Sequence, residues 1–151
     1  MKKTVIFDLD GTLALIDKRR ELARKPNGKI DFKILHDPIN IKFDKPNKPV
    51  VKMAQLFAEQ EFKIVIFSGR SDKTATATVS WLSQNKVPFN KLVMRPHKTM
   101  NFIPDEVLKK NMLDKHVDIT DVFLVVDDRQ KVVKMWRDLG LTVFQVAEGN
   151  F

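Results

Sequence analysis

Runs of β-branched and aromatic residues alternate along the chain with stretches whose apolar residues recur at helical spacing. The runs predict buried strands over residues 4–7, 63–67, 91–94, 121–126 and 141–145. The helical stretches predict helices over residues 49–61, 72–84, 104–115 and 130–139. Because successive parallel strands need a crossover connection, this alternation predicts an α/β fold built on a Rossmann-like, doubly wound parallel sheet of about five strands.

Residues 13–48 interrupt this alternation, because they show no sustained helical or strand period. They contain the turn-forming sequences Pro26-Asn27-Gly28 and Asp37-Pro38. An irregular stretch of this length inside a compact domain is usually functional. We therefore predict one domain over residues 1–151, in which residues 13–48 form a small cap or flap after the first strand, with a short β-piece around residues 30–35.

The chain is basic, with a formal net charge of +8, and the positive excess is concentrated in the 13–48 segment. That segment holds ten lysines and arginines against five acidic residues. Such a concentration beside a candidate site favours a polyanionic substrate, and Arg19, Arg20 and Arg24 are expected to grip it. A solvated basic face without a binding role is the alternative interpretation.

The chain contains no cysteine, which excludes disulfides and thiolate metal sites and suits a reducing compartment. We therefore expect a cytoplasmic location. The apolar runs are far shorter than the roughly 18 residues that a membrane span requires, so no membrane association is expected. The run after Met1-Lys2-Lys3 is cut off by Asp8 and is too short for a signal peptide.

Two carboxylates, Asp8 and Asp10, follow the first predicted strand, and Gly11 comes directly after them. Ligands of open α/β sheets bind beyond the carboxyl ends of the strands, so both acids are expected at that edge. Two carboxylates this close repel each other unless a cation lies between them or one of them holds a proton. A Mg²⁺ ion, which prefers oxygen ligands, meets the first need, and a raised pKa that makes one carboxyl a proton donor meets the second.

Polar residues also follow two other predicted strands. The second strand runs into Ser68-Gly69-Arg70, and the fourth runs into Asp127-Asp128-Arg129. In a parallel sheet these strand ends lie along the same edge as Asp8 and Asp10. The sequence therefore predicts one site assembled from three distant parts of the chain.

The sequence Asp8-Leu9-Asp10-Gly11-Thr12 matches the D-x-D-G-T signature of the haloacid dehalogenase (HAD) superfamily of phosphohydrolases, which the chain resembles. Ser68 and the Asp127-Asp128 pair fall where the second and fourth motifs of that superfamily are expected. These residues and the spacing of Asp105 and Lys109 are also similar to the 3′-phosphatase domains of bacteriophage polynucleotide kinase/phosphatases. The G-x-x-x-x-G-K-[ST] phosphate loop of a kinase does not occur in the sequence, so 5′-kinase activity is not expected.

The resemblance implies a role for each candidate residue. Asp8 would attack phosphorus to form an aspartyl-phosphate, and Asp10 would protonate the leaving oxygen and then activate water. The other implied catalytic residues are Ser68 and Lys109, which would stabilise phosphate charge. The implied Mg²⁺ ligands are Asp8, the Asp10 main-chain carbonyl, Asp127 and Asp128. The implied substrate-binding residues are Gly69, Arg70, Asp105 and Arg129. Asp105 lies one helical turn before Lys109 and would also hold it in place.

The expected function is Mg²⁺-dependent removal of 3′-phosphates from nucleic-acid ends through an aspartyl-phosphate intermediate. A phosphatase for free nucleotides is the alternative, so the expected partner is a phosphorylated nucleic-acid end or a nucleotide. A nucleic-acid-binding module without catalysis would not need the intact acids. A phosphate-accepting receiver domain would carry its acidic pair after the first strand, not after a late one.

Aromatic residues add a smaller set of expectations. Phe32 and Phe43 lie in the basic 13–48 segment and are candidates for stacking on bases. Trp81 and Trp136 lie on predicted amphipathic helices and are expected in the core.

Overall fold

The computed structural model describes residues 2–98 and 103–151. Its strands in chain order are β1 (Thr4–Phe7), β2 (Ala14–Leu15), β3 (Lys45–Pro46), β4 (Lys63–Ser71), β5 (Lys91–Arg95), β6 (Val122–Asp127) and β7 (Val143–Gln145). Its α-helices are α1 (Asp17–Ala23), α2 (Phe32–Leu35), α3 (Lys48–Glu59), α4 (Ala75–Gln84), α5 (Asp105–His116) and α6 (Gln130–Asp138). Short 3₁₀ helices occupy Pro38–Phe43, Asp72–Thr74 and Ile119–Asp121.

Five of the described strands form one parallel sheet in the order β5-β4-β1-β6-β7. This confirms the predicted α/β fold with its five-stranded parallel sheet. The central strand β1 pairs on both sides, with Phe7 opposite Ile66 of β4 and Val126 of β6. The residues that follow β1, β4 and β6 therefore emerge side by side at one edge of the sheet.

The side chains of β1 alternate between two cores, one on each face of the sheet. Val5 and Phe7 pack in the cluster that also holds the buried residues of α3 and α4, including Trp81. Ile6 packs in the cluster that holds the buried residues of α5 and α6, including Trp136. Both tryptophans are core residues, as predicted, with exposures of 4% for Trp81 and 0% for Trp136.

The 13–48 segment begins and ends in a short antiparallel ribbon formed by β2 and β3. Between them it folds as α1, α2 and the 3₁₀ helix Pro38–Phe43. The predicted β-piece around residues 30–35 is wrong, because α2 occupies that position. The Asp31 carboxylate accepts a hydrogen bond from the backbone N–H of Lys33 at 3.0 Å and so caps the start of this helix, which buries Leu35.

The largest boundary differences from the prediction lie between β4 and α4. Strand β4 runs on to Ser71, four residues beyond the predicted end at Phe67, and a 3₁₀ turn separates it from α4.

Within the described residues, no helix is both long enough and apolar enough to cross a membrane.

Candidate active site

Asp8 follows β1 directly, and both oxygens of its carboxylate accept a hydrogen bond. Oδ1 accepts from Lys109 Nζ at 2.6 Å, and Oδ2 accepts from the hydroxyl of Thr12 at 2.8 Å. The Asp8 backbone N–H donates to the Val126 carbonyl at 2.9 Å, which continues the pairing of β1 with β6 beyond the strand. Backbone and side chain are both fixed, so the carboxylate has one orientation.

Asp8, Asp127 and Asp128 form a buried acidic cluster, in which one oxygen of each side chain lies within 4.8 Å of the others. Asp127 Oδ2 accepts from the Trp136 indole at 3.2 Å, and its Oδ1 accepts from the Asp128 backbone N–H at 2.8 Å. Burial raises the pKa of Asp8 well above its usual value, and the charges of Asp127 and Asp128 raise it further. Burial also raises the pKa of Asp128.

Lys109 lies among these acids and donates to Asp127 Oδ2 at 2.9 Å as well as to Asp8. Burial alone would lower the pKa of its ammonium, but the charges of Asp127 and Asp8 outweigh burial and raise it. Lys109 is therefore protonated. The single ammonium of Lys109 balances the charge of one of the three carboxylates, and a divalent cation would balance the other two. Carboxylate oxygens are the ligands that Mg²⁺ prefers.

Gly11 lets the chain turn sharply directly after Asp10, where the backbone passes close to Asp128. Its φ is +83°, in the left-handed region, and a Cβ at this position would lie 2.2 Å from Asp128 Oδ2. Only glycine satisfies both conditions, so the D-x-D-G sequence is required by the packing of the site.

Asp10 points toward two arginines instead of the acidic cluster. Its Oδ1 accepts from Arg70 Nε at 2.8 Å and from Arg19 Nη2 at 2.9 Å. Burial would raise the pKa of Asp10, but the charges of Arg70 and Arg19 hold it below its usual value. The raised pKa that the sequence led us to expect within this pair of acids therefore belongs to Asp8, and Asp10 is ionised.

Arg19 and Asp44 complete this ion-pair network; the sequence led us to expect that Arg19 grips the substrate, and it did not point to Asp44. Arg19 is 1% exposed and donates to both oxygens of Asp44, at 2.8 and 2.9 Å. Arg70 Nη2 donates to Asp44 Oδ2 at 2.8 Å. Arg19 therefore does not belong to an exposed basic face. The available sequence signal was the spacing of Arg19 and Ala23, which puts both on the buried face of α1.

Ser68 and Gly69 shape the end of β4. Ser68 is buried, and its hydroxyl accepts a hydrogen bond from the Arg70 backbone N–H at 3.1 Å. A Cβ on Gly69 would lie 3.1 Å from Asp105 Oδ1, closer than side chains normally pack. Gly69 therefore allows β4 to approach the start of α5.

Asp105 does not hold Lys109 in place, contrary to the expectation from their spacing. Its carboxylate accepts from Arg95 at 2.6 Å and from Arg129 at 2.7 Å. Lys109 is instead drawn to the two buried carboxylates described above. Asp105 thus joins β5 to the start of α6.

A cleft of about 1150 Å³ opens over these residues. Of the predicted site residues it is lined by Asp8, Asp10, Gly69, Arg70, Asp105, Lys109, Asp127, Asp128 and Arg129. Ser68 is buried and is not part of this lining. The 13–48 segment contributes a second wall that includes Arg20, Phe32, Lys33 and His36. The structure thus brings the predicted residues together, with a basic and aromatic wall facing the acids.

Comparison with known protein families gives a match over residues 2–151 to the family described as the polynucleotide kinase PNKP phosphatase domain. A protein of Autographa californica nuclear polyhedrosis virus, described as a bifunctional polynucleotide kinase/RNA ligase, is 30% identical over 149 residues. This match covers 96% of the chain and 19% of the viral protein.

Solved structures resemble the chain in fold. A chain of the Pnkp1/Rnl/Hen1 complex superposes with a TM-score of 0.81 at 29% identity, and the match covers 100% of this chain and 48% of that one. A haloacid dehalogenase-like hydrolase from Streptococcus pneumoniae superposes with a TM-score of 0.70 at 12% identity, over 95% of this chain and 83% of that one. The chain therefore spans less than half the length of the viral relative and of the Pnkp1 complex chain.

Proposed function

The chain belongs to the family of polynucleotide kinase PNKP phosphatase domains, which are HAD-type phosphatases, and on that premise we propose that it is a Mg²⁺-dependent enzyme that removes 3′-phosphates from nucleic-acid ends. The observation that carries the proposal is the carboxylate of Asp8. Asp8 is 7% exposed and lines the cleft, and its carboxylate accepts hydrogen bonds from Lys109 and Thr12 beside two further acids.

In the first step, a carboxylate oxygen of Asp8 attacks phosphorus while the bond from phosphorus to the leaving oxygen breaks. Asp10 gives a proton to that oxygen, which leaves as a hydroxyl group. In the second step, water attacks the aspartyl-phosphate, and Asp10 takes a proton from the water. Inorganic phosphate leaves, and Asp8 is restored as a carboxylate.

Asp10 needs a proton for the first step, although Arg70 and Arg19 hold its pKa low. Both arginines are fully charged donors whose preferred partners include phosphate oxygens. A phosphoryl group that takes hydrogen bonds from Arg70, which lines the cleft, weakens the pairing with Asp10. The pKa of Asp10 then rises, so substrate binding itself prepares the proton donor.

The acidic cluster fits a Mg²⁺ ion, because three carboxylates with a single lysine carry excess negative charge. The ion, when bound, supplies positive charge that orients the phosphate and stabilises charge on its oxygens. Both oxygens of Asp127 already accept hydrogen bonds from Lys109, Trp136 and the Asp128 backbone, whereas the Asp128 side chain accepts a long hydrogen bond from Thr12 at 3.4 Å and interacts with the Asp8 carboxyl. We assign direct metal contact to Asp8, Asp128 and the Asp10 main-chain carbonyl. Asp127 is assigned the role of orienting Lys109.

Charge around the cleft supports a nucleic-acid substrate. Arg20, Lys33, Lys73 and Arg129 line it, and each brings positive charge to the path of a phosphodiester chain. Phosphate contacts of this kind supply most of the affinity of nucleic-acid-binding proteins. A single phosphomonoester needs fewer cations than the cleft presents.

The test is phosphate release with Mg²⁺ from a 3′-phosphorylated oligonucleotide, the same oligonucleotide with a 5′-phosphate, and free 3′- and 5′-nucleotides. We expect kcat/KM to favour the 3′-phosphorylated strand at least about tenfold, equivalent to about 1.4 kcal/mol of transition-state preference. Higher kcat/KM on free nucleotides would identify a nucleotide phosphatase and overturn the proposed substrate.

A further inference from the structure

We propose that Phe32 is a stacking platform for the base of the nucleotide that carries the scissile phosphate. The inference rests on the proposed function and deepens it by assigning a recognition element for that nucleotide. A phosphatase with such a platform distinguishes a nucleotide end from phosphate esters that lack a base.

Phe32 combines exposure with a position in the active-site cleft. It is 67% exposed and lines the same cleft as Asp8 and Asp10. Its ring stacks on His36, with 6.0 Å between ring centroids and 12° between ring planes. His36 thus lies beside the Phe32 ring in a nearly parallel plane, and the exposed surface of the ring is available to a flat partner.

The platform is tied directly to the reacting groups through Arg19. Arg19 Nη1 donates a hydrogen bond to the carbonyl of Leu35, the last residue of α2, at 3.0 Å. Its Nη2 donates to Asp10 Oδ1 at 2.9 Å. One rigid, buried guanidinium therefore sets the position of α2 relative to Asp10, as a subsite next to the reacting phosphate requires.

The other aromatic residues near the cleft are less suited to receive a base. Phe151 also lines the cleft, but the guanidinium groups of Arg20 and Arg129 each lie over its ring, 5.1 Å from the centroid. Phe43, the second stacking candidate from the sequence, lies outside the cleft lining and has the Lys42 ammonium 5.2 Å from its ring centroid. Phe32 is therefore the residue that the structure assigns.

The residue after the platform adds charge where the strand would continue. Lys33 lines the cleft beside Phe32 and is exposed, so its ammonium can reach a backbone phosphate while the base lies on the ring. Aromatic stacking accepts any base, since every base has a π-face, whereas the lysine recognises the backbone. The pair predicts recognition of a nucleotide end without sequence preference.

The test is a two-by-two comparison of enzyme and substrate, using the full chain with Mg²⁺. The substrates are a 3′-phosphorylated oligonucleotide and the same strand with an abasic 3′-terminal residue. For the unmodified enzyme we expect kcat/KM to be about tenfold lower on the abasic strand, the order of effect that one stacked base gives. Phe32→Ala should lose about the same factor on the normal strand and much less on the abasic strand.

Two further variants separate stacking from other effects. Phe32→Trp should keep the preference for the strand with a terminal base, because it keeps an aromatic face. Phe43→Ala, which removes an aromatic ring from the same segment outside the cleft lining, should match the unmodified enzyme on both strands.

The outcomes distinguish this inference from the proposed function. Equal rates for Phe32→Ala and the unmodified enzyme, or an equal loss on both strands, would overturn the platform while leaving the phosphatase proposal in place. If the unmodified enzyme released no phosphate from either strand but hydrolysed free nucleotides, the proposed nucleic-acid function would fail.

Discussion

Lys109 Nζ lies 2.6 Å from Asp8 Oδ1, although the two residues are 101 positions apart in the sequence. The same ammonium lies 2.9 Å from Asp127 Oδ2. It therefore joins the residue after β1 to the last residue of β6 through a side chain of α5. This contact opposes the effect of burial on the Asp8 carboxyl, because a nearby positive charge lowers the pKa of a carboxyl, although the pKa of Asp8 stays well above its usual value.

Asp8→Asn should abolish phosphate release, with a loss in kcat of at least about a thousandfold, because an amide is not a nucleophile toward phosphorus. The fold should persist, since asparagine has nearly the shape of aspartate. The measurement is phosphate release together with the circular dichroism spectrum.

A matched control for this change is Asp114→Asn, which alters an exposed acid on α5 that pairs with Lys110, since neither residue lines the cleft. The Asp114→Asn variant should release phosphate at the same rate as the unmodified enzyme. Retention of substantial activity by Asp8→Asn would remove Asp8 from its role as nucleophile.

Asp10→Asn should slow the enzyme by about 10²- to 10⁴-fold on a nucleotide, whose leaving oxygen needs a proton. The loss should be much smaller on p-nitrophenyl phosphate, because p-nitrophenolate leaves without protonation. The comparison of kcat/KM on the two substrates checks the assignment, because kcat/KM reports formation of the aspartyl-phosphate and not its hydrolysis, which both substrates share. Equal losses on both would mean that Asp10 acts through the arginines it pairs with and not as a proton donor.

The sequence predicted the sheet, and the residues at its edge, because both depend on local pattern. Apolar runs ending in Asp8, Ser68 and Asp127 indicate strands, and parallel pairing then brings their ends together. The structure adds which side chain contacts which. The i, i+4 spacing of Asp105 and Lys109 suggested a pair, but the buried carboxylates of Asp8, directly after β1, and of Asp127, at the end of β6, attract the lysine more strongly than Asp105 does.

Arg19 and Asp44 show the limit of the sequence argument. In the 13–48 segment they look like two of many charged residues, most of which are exposed. Their burial depends on the tertiary placement of Asp10 and Arg70, which no local period encodes. The same reason explains the error at α2, where the capping contact of Asp31 and the packing of Leu35 decide the conformation.

Asp44→Ala should destabilise the fold by about 3–5 kcal/mol, because it leaves two buried guanidinium groups with one fewer carboxylate between them. Arg19 and Arg70 are each 1% exposed, so water cannot replace the lost partner. Urea denaturation measures the change in the free energy of unfolding. The control is Asp114→Ala, which breaks an exposed pair and should cost less than about 1 kcal/mol. Equal effects of the two changes would show that the buried network does not hold the segment.

Mg²⁺ affinity should increase with pH. Burial raises the pKa of Asp8 and of Asp128 in the metal-free fold, and the charge of Asp127 raises both further. These groups bind protons more tightly in the folded chain than in the unfolded one, so their contribution to stability is present at low pH and is lost as pH rises through the folded pKa values. Metal binding must release the same protons. Calorimetric titrations at about pH 5.5 and about pH 7.5 should show tighter binding at the higher pH, and equal affinity would argue against a carboxylate site.

Asp128→Asn and Asp127→Asn should differ in their effects on metal binding, although the two residues are neighbours. Asp128 is assigned to the ion, so its change should lower Mg²⁺ affinity more than about 100-fold. Asp127 accepts from Lys109 and Trp136, so its change should weaken affinity by only about 10- to 100-fold through a misplaced lysine. Mg²⁺-dependent shifts in Tm for both variants measure the difference. A larger loss for Asp127→Asn would reverse the assignment and make Asp127 the direct ligand.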